Sequence, residues 1–347
     1  MGELLRITKA GLYCADGDFY IDPWRPVDRA VVTHAHSDHA RPGMRRYLCS
    51  TESESVLRLR VGQRADIQAL NYGERLDING VRLSLHPAGH ILGSAQVRVE
   101  RAGEVIAVSG DYKTAPETTC TPFEPVKCHT FVTESTFGLP IYRWPADREV
   151  FDDINRWWRD NCAKGIASIV TGYSLGKAQR ALSGLDRSNG PIFMQETIEP
   201  YTDAYRRAGI DLPDALVLER CKETRDWSRS MIVATPNISS ASWLARIGPY
   251  SIAFLSGWMA IGSMRRRTSI DRGFVLSDHV DWPSLLEAIH QTEAQRVLVT
   301  HGYCSQVVRY LREQGLDAHE LETAWSSQSE GSGPFGGEDV GQVGNEW

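Results

Sequence analysis

The sequence predicts an α/β fold in which one domain is interrupted by a second. Its 347 residues exceed what a single hydrophobic core comfortably organises, so two domains are expected. Strand-like apolar runs alternate with helical stretches between 140 and 272, a pattern typical of βαβ units and a parallel sheet. On both sides of this block, short apolar runs end directly at histidines or carboxylates. We therefore expect residues 1–139 and 273–325 to form one domain, residues 140–272 a second, and the Gly- and Ser-rich residues 326–347 a flexible tail.

The composition is ordinary for a soluble globular protein, with 41% hydrophobic and 24% charged residues. Seven cysteines are scattered without a Cys-x-x-Cys pair, which argues against a disulfide framework or a thiolate zinc site and favours the reducing cytoplasm. The N-terminus lacks the features of a signal peptide and no stretch approaches 18 apolar residues, so no membrane association is expected. The net charge of -6 argues against a uniformly basic surface, although local clusters of Lys and Arg still permit a nucleic-acid partner.

The densest group of chemically active residues follows the strand predicted at 27–32. Three histidines and one carboxylate fall within six residues, and they are His34, His36, Asp38 and His39. Imidazole nitrogen and carboxylate oxygen are ligands that zinc accepts. If the loop curls, one pair of these side chains can face one ion while the other pair faces a second. The alternative, a solvated loop or a set of core histidines, is disfavoured because so dense a cluster costs stability unless something compensates it.

Further candidate ligands occur where other predicted strands end. Asp22 ends a strand just before the histidine cluster, where it either orients a ligand histidine or caps the following turn. His90 lies in a glycine-flanked loop between two predicted strands, which suits a third ligand. Asp111 and Glu134 each follow or end a buried strand. From its position after a glycine, we expect Asp111 to lie close enough to bridge two metal ions.

The same pattern returns after the second domain. A strand predicted at 273–277 leads to His279, and a buried strand at 296–300 ends at His301. Both histidines therefore follow a predicted strand, as the candidate ligands in the first half of the chain do. This return is the reason for treating residues 140–272 as an insertion within a single metal-binding domain.

In their order along the chain, these residues resemble the motifs of the β-CASP branch of the metallo-β-lactamase fold. The resemblance covers residues 1–325 and rests on His34, His36, Asp38, His39, His90, Asp111, Glu134, His279 and His301. Residues 19–43, 256–259 and 276–282 look like the bacterial ligase-associated DNA exonucleases. Those proteins are relatives of Artemis, and they accompany an ATP-dependent DNA ligase and a helicase.

The resemblance implies an αββα sandwich with a β-CASP cap, an α/β domain with a parallel sheet, inserted between Glu134 and His279. It implies two zinc ions per chain, with Mn²⁺ or Fe as the alternative metals. The implied ligands are His34, His36, His90 and Asp111 for the first ion, and Asp38, His39, Asp111 and His301 for the second. Asp22 would support the ligands. The catalytic residues would be Asp38, Glu134 and His279, with the last two paired as acid and base.

The implied activity is metal-dependent hydrolysis of a phosphodiester by a DNA exonuclease that acts on single-stranded or free DNA ends in repair. In this chemistry two metal ions activate water for attack on the scissile phosphate. His301 supports an RNA-processing nuclease as the alternative, because eukaryotic Artemis-type DNA nucleases tend to lack this histidine and RNA-processing relatives keep it. A lactamase or thioesterase is disfavoured by the long insertion, and a scaffold without activity by the complete set of ligand positions.

Two segments of the inserted domain are predicted to contact nucleic acid. Ser174, Gly176 and Lys177 lie at a helix start, where backbone N–H groups and a cation can bind phosphate, with an ordinary helix cap as the alternative. The densest basic run could follow the nucleic-acid backbone, with a solvated surface turn as the alternative. This run consists of Arg265, Arg266 and Arg267. The inserted domain would therefore hold the substrate.

Overall fold

The computed structural model describes residues 4–221, 226–236, 238, 241–262 and 270–323. Within these limits the chain divides into two compact units. Unit 1 contains residues 4–116, 120–141 and 279–323, and unit 2 contains residues 117–119 and 142–278. The domain boundaries predicted at 139/140 and 272/273 lie a few residues before two of the positions at which the chain changes unit.

The strands, numbered in chain order, are β1 (Arg6–Ile7), β2 (Leu12–Cys14), β3 (Phe19–Ile21), β4 (Arg29–Val31), β5 (Arg46–Ser50), β6 (Ile67–Leu70), β7 (Arg75–Ile78), β8 (Val81–Pro87), β9 (Ala95–Arg101), β10 (Glu104–Val108), β11 (Thr130–Ser135), β12 (Ala167–Thr171), β13 (Ile192–Met194), β14 (Leu216–Val217), β15 (Met231–Ala234), β16 (Tyr250–Leu255), β17 (Arg272–Phe274), β18 (Arg296–Gly302) and β19 (Asp317–Glu320). The α-helices are α1 (Glu54–Val61), α2 (Asp147–Ala163), α3 (Lys177–Ser183), α4 (Glu199–Arg207), α5 (Leu244–Ile247), α6 (Trp282–Gln291) and α7 (Cys304–Glu313). Short 3₁₀ helices occupy Thr51–Ser53, Arg187–Asn189, Glu196–Ile198, Leu218–Arg220 and Gly257–Ala260. Among the described residues, every helix is too short or too polar to span a membrane.

Unit 1 contains two mixed sheets. The first has the strand order β1-β2-β3-β4-β5-β6, antiparallel as far as β3 and parallel beyond it. The second has the order β19-β18-β11-β10-β9-β8-β7, parallel from β19 to β10 and antiparallel from β10 to β7. Because β10, β11 and β18 run parallel, their carboxyl ends meet at one edge of the sheet. That edge brings together Asp111, Glu134 and His301.

The seven-stranded sheet separates two hydrophobic cores, because successive side chains of a strand point to opposite faces. In β10, Ile106 and Val108 lie in the core shared with the six-stranded sheet. Val105 and Ala107 lie instead in the core formed with α6 and α7. Unit 1 is thus a sandwich of two sheets with helices on the outer face of the second, which confirms the predicted α/β fold class.

Unit 2 is built on a parallel sheet. Its described strands lie in the order β14-β13-β15-β12-β16-β17, and each neighbouring pair is parallel. The strands β12, β13 and β15 are buried throughout, as expected of parallel strands covered on both faces. Ile169, Phe193 and Ile232 from these strands share a core with Trp243. The alternation of strands and helices read from the sequence therefore produces the predicted parallel sheet.

The cap of one helix and the end of one predicted strand are set by local hydrogen bonds. Ser50 caps the short 3₁₀ helix that follows β5. Ser50 has an extended backbone and its Oγ accepts the N–H three residues on at 3.0 Å, whereas Thr51 is already helical. The strand expected at 273–277 ends at Phe274, where the N–H of Leu276 turns back to the carbonyl oxygen of Phe274 at 3.0 Å.

Replacement of Gly93 is expected to destabilise unit 1. Gly93 has a φ of +73°, and a Cβ there would lie 2.1 Å from the backbone nitrogen of Ser53. Gly93→Ala should therefore lower the free energy of unfolding by about 3 kcal/mol or more, because a clash with backbone adds to the strain of the left-handed conformation. Gly80→Ala is the matched control, since φ is +82° but the new Cβ would meet none of the described atoms within 4 Å. It should cost about 1 kcal/mol. Urea unfolding measures both, and equal losses would contradict the assignment of the clash.

Candidate metal centre

Each residue of the predicted first ligand set is presented by a loop or a strand end of unit 1. His34 and His36 follow β4, His90 lies between β8 and β9, and Asp111 follows β10. The loop around His90 is closed by a hydrogen bond from its backbone N–H to Ser94 Oγ at 3.0 Å. The four side chains are buried, and their ligand atoms lie within 4.8 Å of one another. The chain therefore collects three imidazoles and one carboxylate from three separate segments.

The spacing of these four side chains fits a divalent cation. His36 Nδ1 lies 3.1 Å from both His34 Nε2 and His90 Nε2. Asp111 Oδ2 lies 3.6 Å from His34 Nε2 and 3.9 Å from His90 Nε2. Ligand atoms about 2.1 Å from a tetrahedral ion are roughly 3.4 Å apart, so these distances match. Asp111 Oδ2 also has no hydrogen-bond partner among the residues that the structure describes, a costly state for a buried carboxylate that a cation would relieve. The group is a buried His and Asp cluster able to bind metal.

The protonation states of the cluster also suit a metal ligand set. Burial lowers the pKa of His34 well below its usual value, and the charges of His39 and His90 lower it further. His34 is therefore neutral at pH 7, which is the form that coordinates metal. Burial raises the pKa of Asp111, although the charge of His39 opposes this. A cation beside Asp111 would favour the carboxylate and release any proton held there.

A second set of predicted ligands adjoins Asp111. His39 Nε2 lies 3.5 Å from Asp38 Oδ2 and 3.7 Å from Asp111 Oδ2. The other ring nitrogen of His39, Nδ1, lies 2.7 Å from Asp22 Oδ2, which also accepts a hydrogen bond from Thr33 Oγ1 at 2.6 Å. Burial lowers the pKa of His39, but the three carboxylates raise it well above its usual value. Asp22 thus binds the Nδ1 side of the His39 ring, which directs His39 Nε2 toward Asp38 and Asp111.

His301 lies near this second set but outside the close group of four. Its φ of +58° is a left-handed conformation that residues with a Cβ seldom adopt. The turn is held in place, because Ser135 Oγ donates to the carbonyl oxygen of His301 at 2.6 Å and a Cβ on Gly302 would lie 2.3 Å from the carbonyl oxygen of Ser135. Burial raises the pKa of Asp38, but neighbouring histidines, His39 and His301 among them, bring it below its usual value. His301 is therefore close enough to Asp38 for their charges to interact.

Glu134 and His279 form a buried pair next to Asp111. Glu134 Oε2 and Oε1 lie 3.0 Å and 3.1 Å from His279 Nδ1, and that nitrogen is 4.0 Å from Asp111 Oδ2. Glu134 also accepts the N–H of Tyr112 at 2.9 Å and the hydroxyl of Thr136. Burial raises the pKa of Glu134, but the charge of His279 and these hydrogen bonds bring it below its usual value. An ionised Glu134 fixes His279 with its Nδ1–H donated to the carboxylate. The ligand atoms of Asp111, Glu134 and His279 are also close enough together to hold a metal.

Three supporting residues were missed in the sequence. Thr33 donates its backbone N–H to Asp22 Oδ1 at 2.8 Å in addition to its hydroxyl. Its position directly before the histidine cluster was an available signal. Tyr112 acts on Glu134 through its backbone N–H, so its residue type carried no signal. Thr136 follows Glu134 by two residues, so its position was a signal that its hydroxyl could donate a hydrogen bond to the carboxylate.

The loop predicted to bind phosphate is mostly buried in unit 2. Ser174 is buried, and Gly176, with a φ of +86°, donates its N–H to Gln179 Oε1 at 2.8 Å. Lys177 is 4% exposed, and its Nζ lies 2.7 Å from Asp278 Oδ2. These contacts favour the predicted alternative, an ordinary loop and helix cap, while direct phosphate binding stays a prediction. Outside the described residues lie the three arginines of the predicted basic run, Arg265, Arg266 and Arg267.

Comparison with known proteins identifies relatives along most of the chain, although no family model matches it. The chain is 30% identical to a protein of Opitutus terrae that is named a probable DNA ligase. The match spans 310 residues, which is 89% of this chain and 30% of that protein. It is 23% identical over 68% of its length to the endoribonuclease YSH1 of Candida glabrata, covering 38% of that protein. It is 30% identical over 36% of its length to the RNase aCSPSF2 of Saccharolobus solfataricus, covering 26%. The chain thus spans about a third of the length of these curated relatives.

The relatives, the fold and the arrangement of the site agree. YSH1 and aCSPSF2 are β-CASP proteins, and the similarity to YSH1 extends over both units of this chain. The two-sheet sandwich and the parallel α/β unit correspond to the two parts expected of such a protein. In sequence, fold and arrangement of the site, the chain is therefore similar to the β-CASP proteins of the metallo-β-lactamase fold.

Proposed function

We propose that this chain is a metal-dependent phosphodiesterase that shortens DNA from an end, in the course of DNA repair. The observation that carries the proposal is the buried group of His34, His36, His90 and Asp111 next to the Glu134–His279 pair. DNA is favoured as the substrate because a similarity that covers 89% of the chain is to a protein named a probable DNA ligase.

Two zinc ions per chain are the proposed cofactor, with Mn²⁺ or Fe as metals that the same nitrogen and oxygen donors accept. The first ion would be held by His34, His36, His90 and Asp111, and the second by Asp38, His39, Asp111 and His301. Such a pair of cations would neutralise the phosphate and lower the pKa of a water molecule toward 7. Asp38 would be a catalytic residue in this scheme, because its carboxylate would help to hold the second ion and thereby the phosphate.

The Glu134–His279 pair supplies the proton in this proposal. Glu134 accepts Nδ1–H, so Nε2 is the nitrogen that would give a proton to the leaving 3′ oxygen. The negative charge of Glu134 stabilises the imidazolium that must form before the proton is transferred. Burial of both side chains strengthens this attraction, because a low dielectric screens charges poorly.

The proposed biological setting is the processing of DNA ends before they are joined. A stretch similar to this chain makes up 30% of a protein named a probable DNA ligase, which supports action alongside an ATP-dependent DNA ligase. A helicase that exposes single strands would supply the free ends. Residues 140–272, as the inserted cap, would hold the strand while the metal domain cleaves it in the cytoplasm.

An RNA-processing nuclease is the second candidate. Two features favour it. Relatives of the chain are named endoribonucleases, and the chain has His301 where eukaryotic Artemis-type DNA nucleases tend to lack a histidine. The similarity to these endoribonucleases is lower, at 21–23% identity over 68–70% of the chain. Substrate preference therefore has to be measured directly.

Digestion of end-labelled substrates tests both candidates. Single-stranded DNA labelled at either the 5′ or the 3′ end should be shortened from one end, with labelled mononucleotides released early from that end only. RNA of the same sequence should be cleaved at least about 10-fold more slowly, as expected when a site distinguishes the 2′-hydroxyl. Addition of EDTA should stop the reaction. Faster cleavage of RNA would support the second candidate. Early fragments of intermediate length from both labelled substrates, without labelled mononucleotide from either, would contradict exonuclease action.

A further inference from the structure

Two cationic side chains of α3 are almost fully buried in unit 2. Lys177 is 4% exposed and Arg180 is 3% exposed. A buried charge is stable only when carboxylates and hydrogen-bond acceptors surround it. Their partners therefore indicate what the two residues are for.

Both cations bind the same short segment, the three residues before His279. Lys177 Nζ donates to the carbonyl oxygen of Leu276 at 3.0 Å and lies 2.7 Å from Asp278 Oδ2. Arg180 Nη1 donates to the carbonyl oxygen of Ser277 and to Asp278 Oδ1 at 2.7 Å. Each residue from 276 to 278 thus accepts at least one charge-assisted hydrogen bond from α3. Such bonds are shorter and stronger than those between neutral groups.

The rest of the arginine is fixed to other parts of unit 2. Arg180 Nη2 makes a two-pronged contact with Asp147, at 2.6 Å and 2.7 Å, on the first residue of α2. Arg180 Nε lies 3.5 Å from Glu117 Oε2, and the side chain of Glu117 is 4% exposed. A guanidinium held by several carboxylates has little rotational freedom. The segment at 276–278 is therefore attached to a rigid support and not to a mobile side chain.

The chain on the far side of His279 is held as well. Val280 donates its backbone N–H to the carbonyl oxygen of Tyr112 at 2.7 Å within unit 1. His279 itself bonds to Glu134 through Nδ1. The peptide that carries His279 is thus fixed by Asp278 before it and by Val280 after it. A shift of Asp278 would be passed to His279 through the peptide bond that joins them.

We propose that Lys177 and Arg180 are positioning residues that hold the 276–278 segment and thereby orient His279 for proton transfer. This inference rests on the proposed function, because it gives the two cations a role only through His279. It also gives a role to a lysine at a helix start whose Nζ already lies within hydrogen-bond distance of two oxygens of the protein.

The variant Lys177→Met tests the proposal, because it keeps the length and packing of the side chain but removes its charge. We expect kcat on labelled single-stranded DNA to fall about 100-fold, as for a small misplacement of a catalytic group, with KM changed by less than about 2-fold. Metal content should stay at the wild-type value. In a His279→Ala background, Lys177→Met should lower kcat no further, because the group that it positions is already gone.

Controls separate this result from general destabilisation. Arg220→Met removes an exposed cation of unit 2, whose Nη1 lies 2.7 Å from Glu199 Oε1, and should leave kcat unchanged. Lys177→Gln, which retains a donor, should lose less activity than Lys177→Met and serves as the second variant if the methionine protein unfolds. Unchanged kcat in a folded Lys177 variant, or losses that multiply with that of His279→Ala, would overturn the inference. An inactive wild-type protein with its metal bound would instead contradict the proposed function.

Discussion

Replacement of His279 with alanine is expected to lower kcat about 1,000-fold while the protein keeps its metal, because general acid catalysis typically contributes 10²- to 10⁴-fold. In the structure His279 Nδ1 is bound to Glu134, which favours a proton donor over a metal ligand. Turnover of end-labelled DNA and metal content by emission spectroscopy should be measured on the same preparation. The binding of DNA to the metal-loaded variant should change little.

The histidine at 290 provides the matched control. His290 is exposed on α6, so His290→Ala removes the same side chain from the same unit without approaching the cluster. It should leave kcat and metal content at their wild-type values. Loss of one metal ion from the His279→Ala protein would reassign His279 as a ligand, in line with the close grouping of its ring with Asp111 and Glu134.

Replacement of Asp111 with asparagine is expected to abolish both metal binding and activity. Asp111 Oδ2 lies 3.6–4.0 Å from a ring nitrogen of four imidazoles. Its negative charge therefore acts on histidines of both proposed ligand sets and on His279. Asparagine has nearly the same shape but lacks that charge. Loss of the several kcal/mol that metal ions contribute to the transition state corresponds to a fall on the order of 10⁴-fold in kcat.

Metal content and activity after dialysis against chelator measure this effect. Wild-type protein stripped with EDTA should regain activity on addition of zinc or manganese, whereas Asp111→Asn protein should not. Asp77→Asn removes an exposed carboxylate from β7, which β8 and β9 separate from β10, and should behave as wild type. An Asp111→Asn protein that kept two ions and normal turnover would contradict the role of Asp111 as the shared ligand.

Much of the fold and of the candidate site was predictable because its signals are local. The ligands stand where apolar strands end, so the alternation of buried strand and polar residue located His34, His90 and Asp111 without knowledge of the tertiary structure. Parallel pairing of β10, β11 and β18 then placed Glu134 near Asp111, as expected at one edge of a sheet.

The environment of Lys177 shows what the sequence could not supply. A lysine after a glycine at a helix start has the local appearance of a phosphate site. Its partners, Leu276 and Asp278, lie about a hundred residues further along the chain, and only the folded sheet brings them to α3. Backbone donors such as the N–H of Tyr112 escape prediction for a related reason, since every residue type except proline carries one.

The pairing of β11 with β18 has a consequence for biosynthesis. These two parallel strands match Thr130 with Arg296, so the whole of unit 2 must leave the ribosome before β11 acquires its partner. Until then one side of β11 presents open backbone donors and acceptors beside an apolar surface, which is the arrangement that recruits chaperones or promotes misassembly. Contacts so distant along the chain also form slowly. The nascent polypeptide is therefore most vulnerable while its inserted portion is being synthesised.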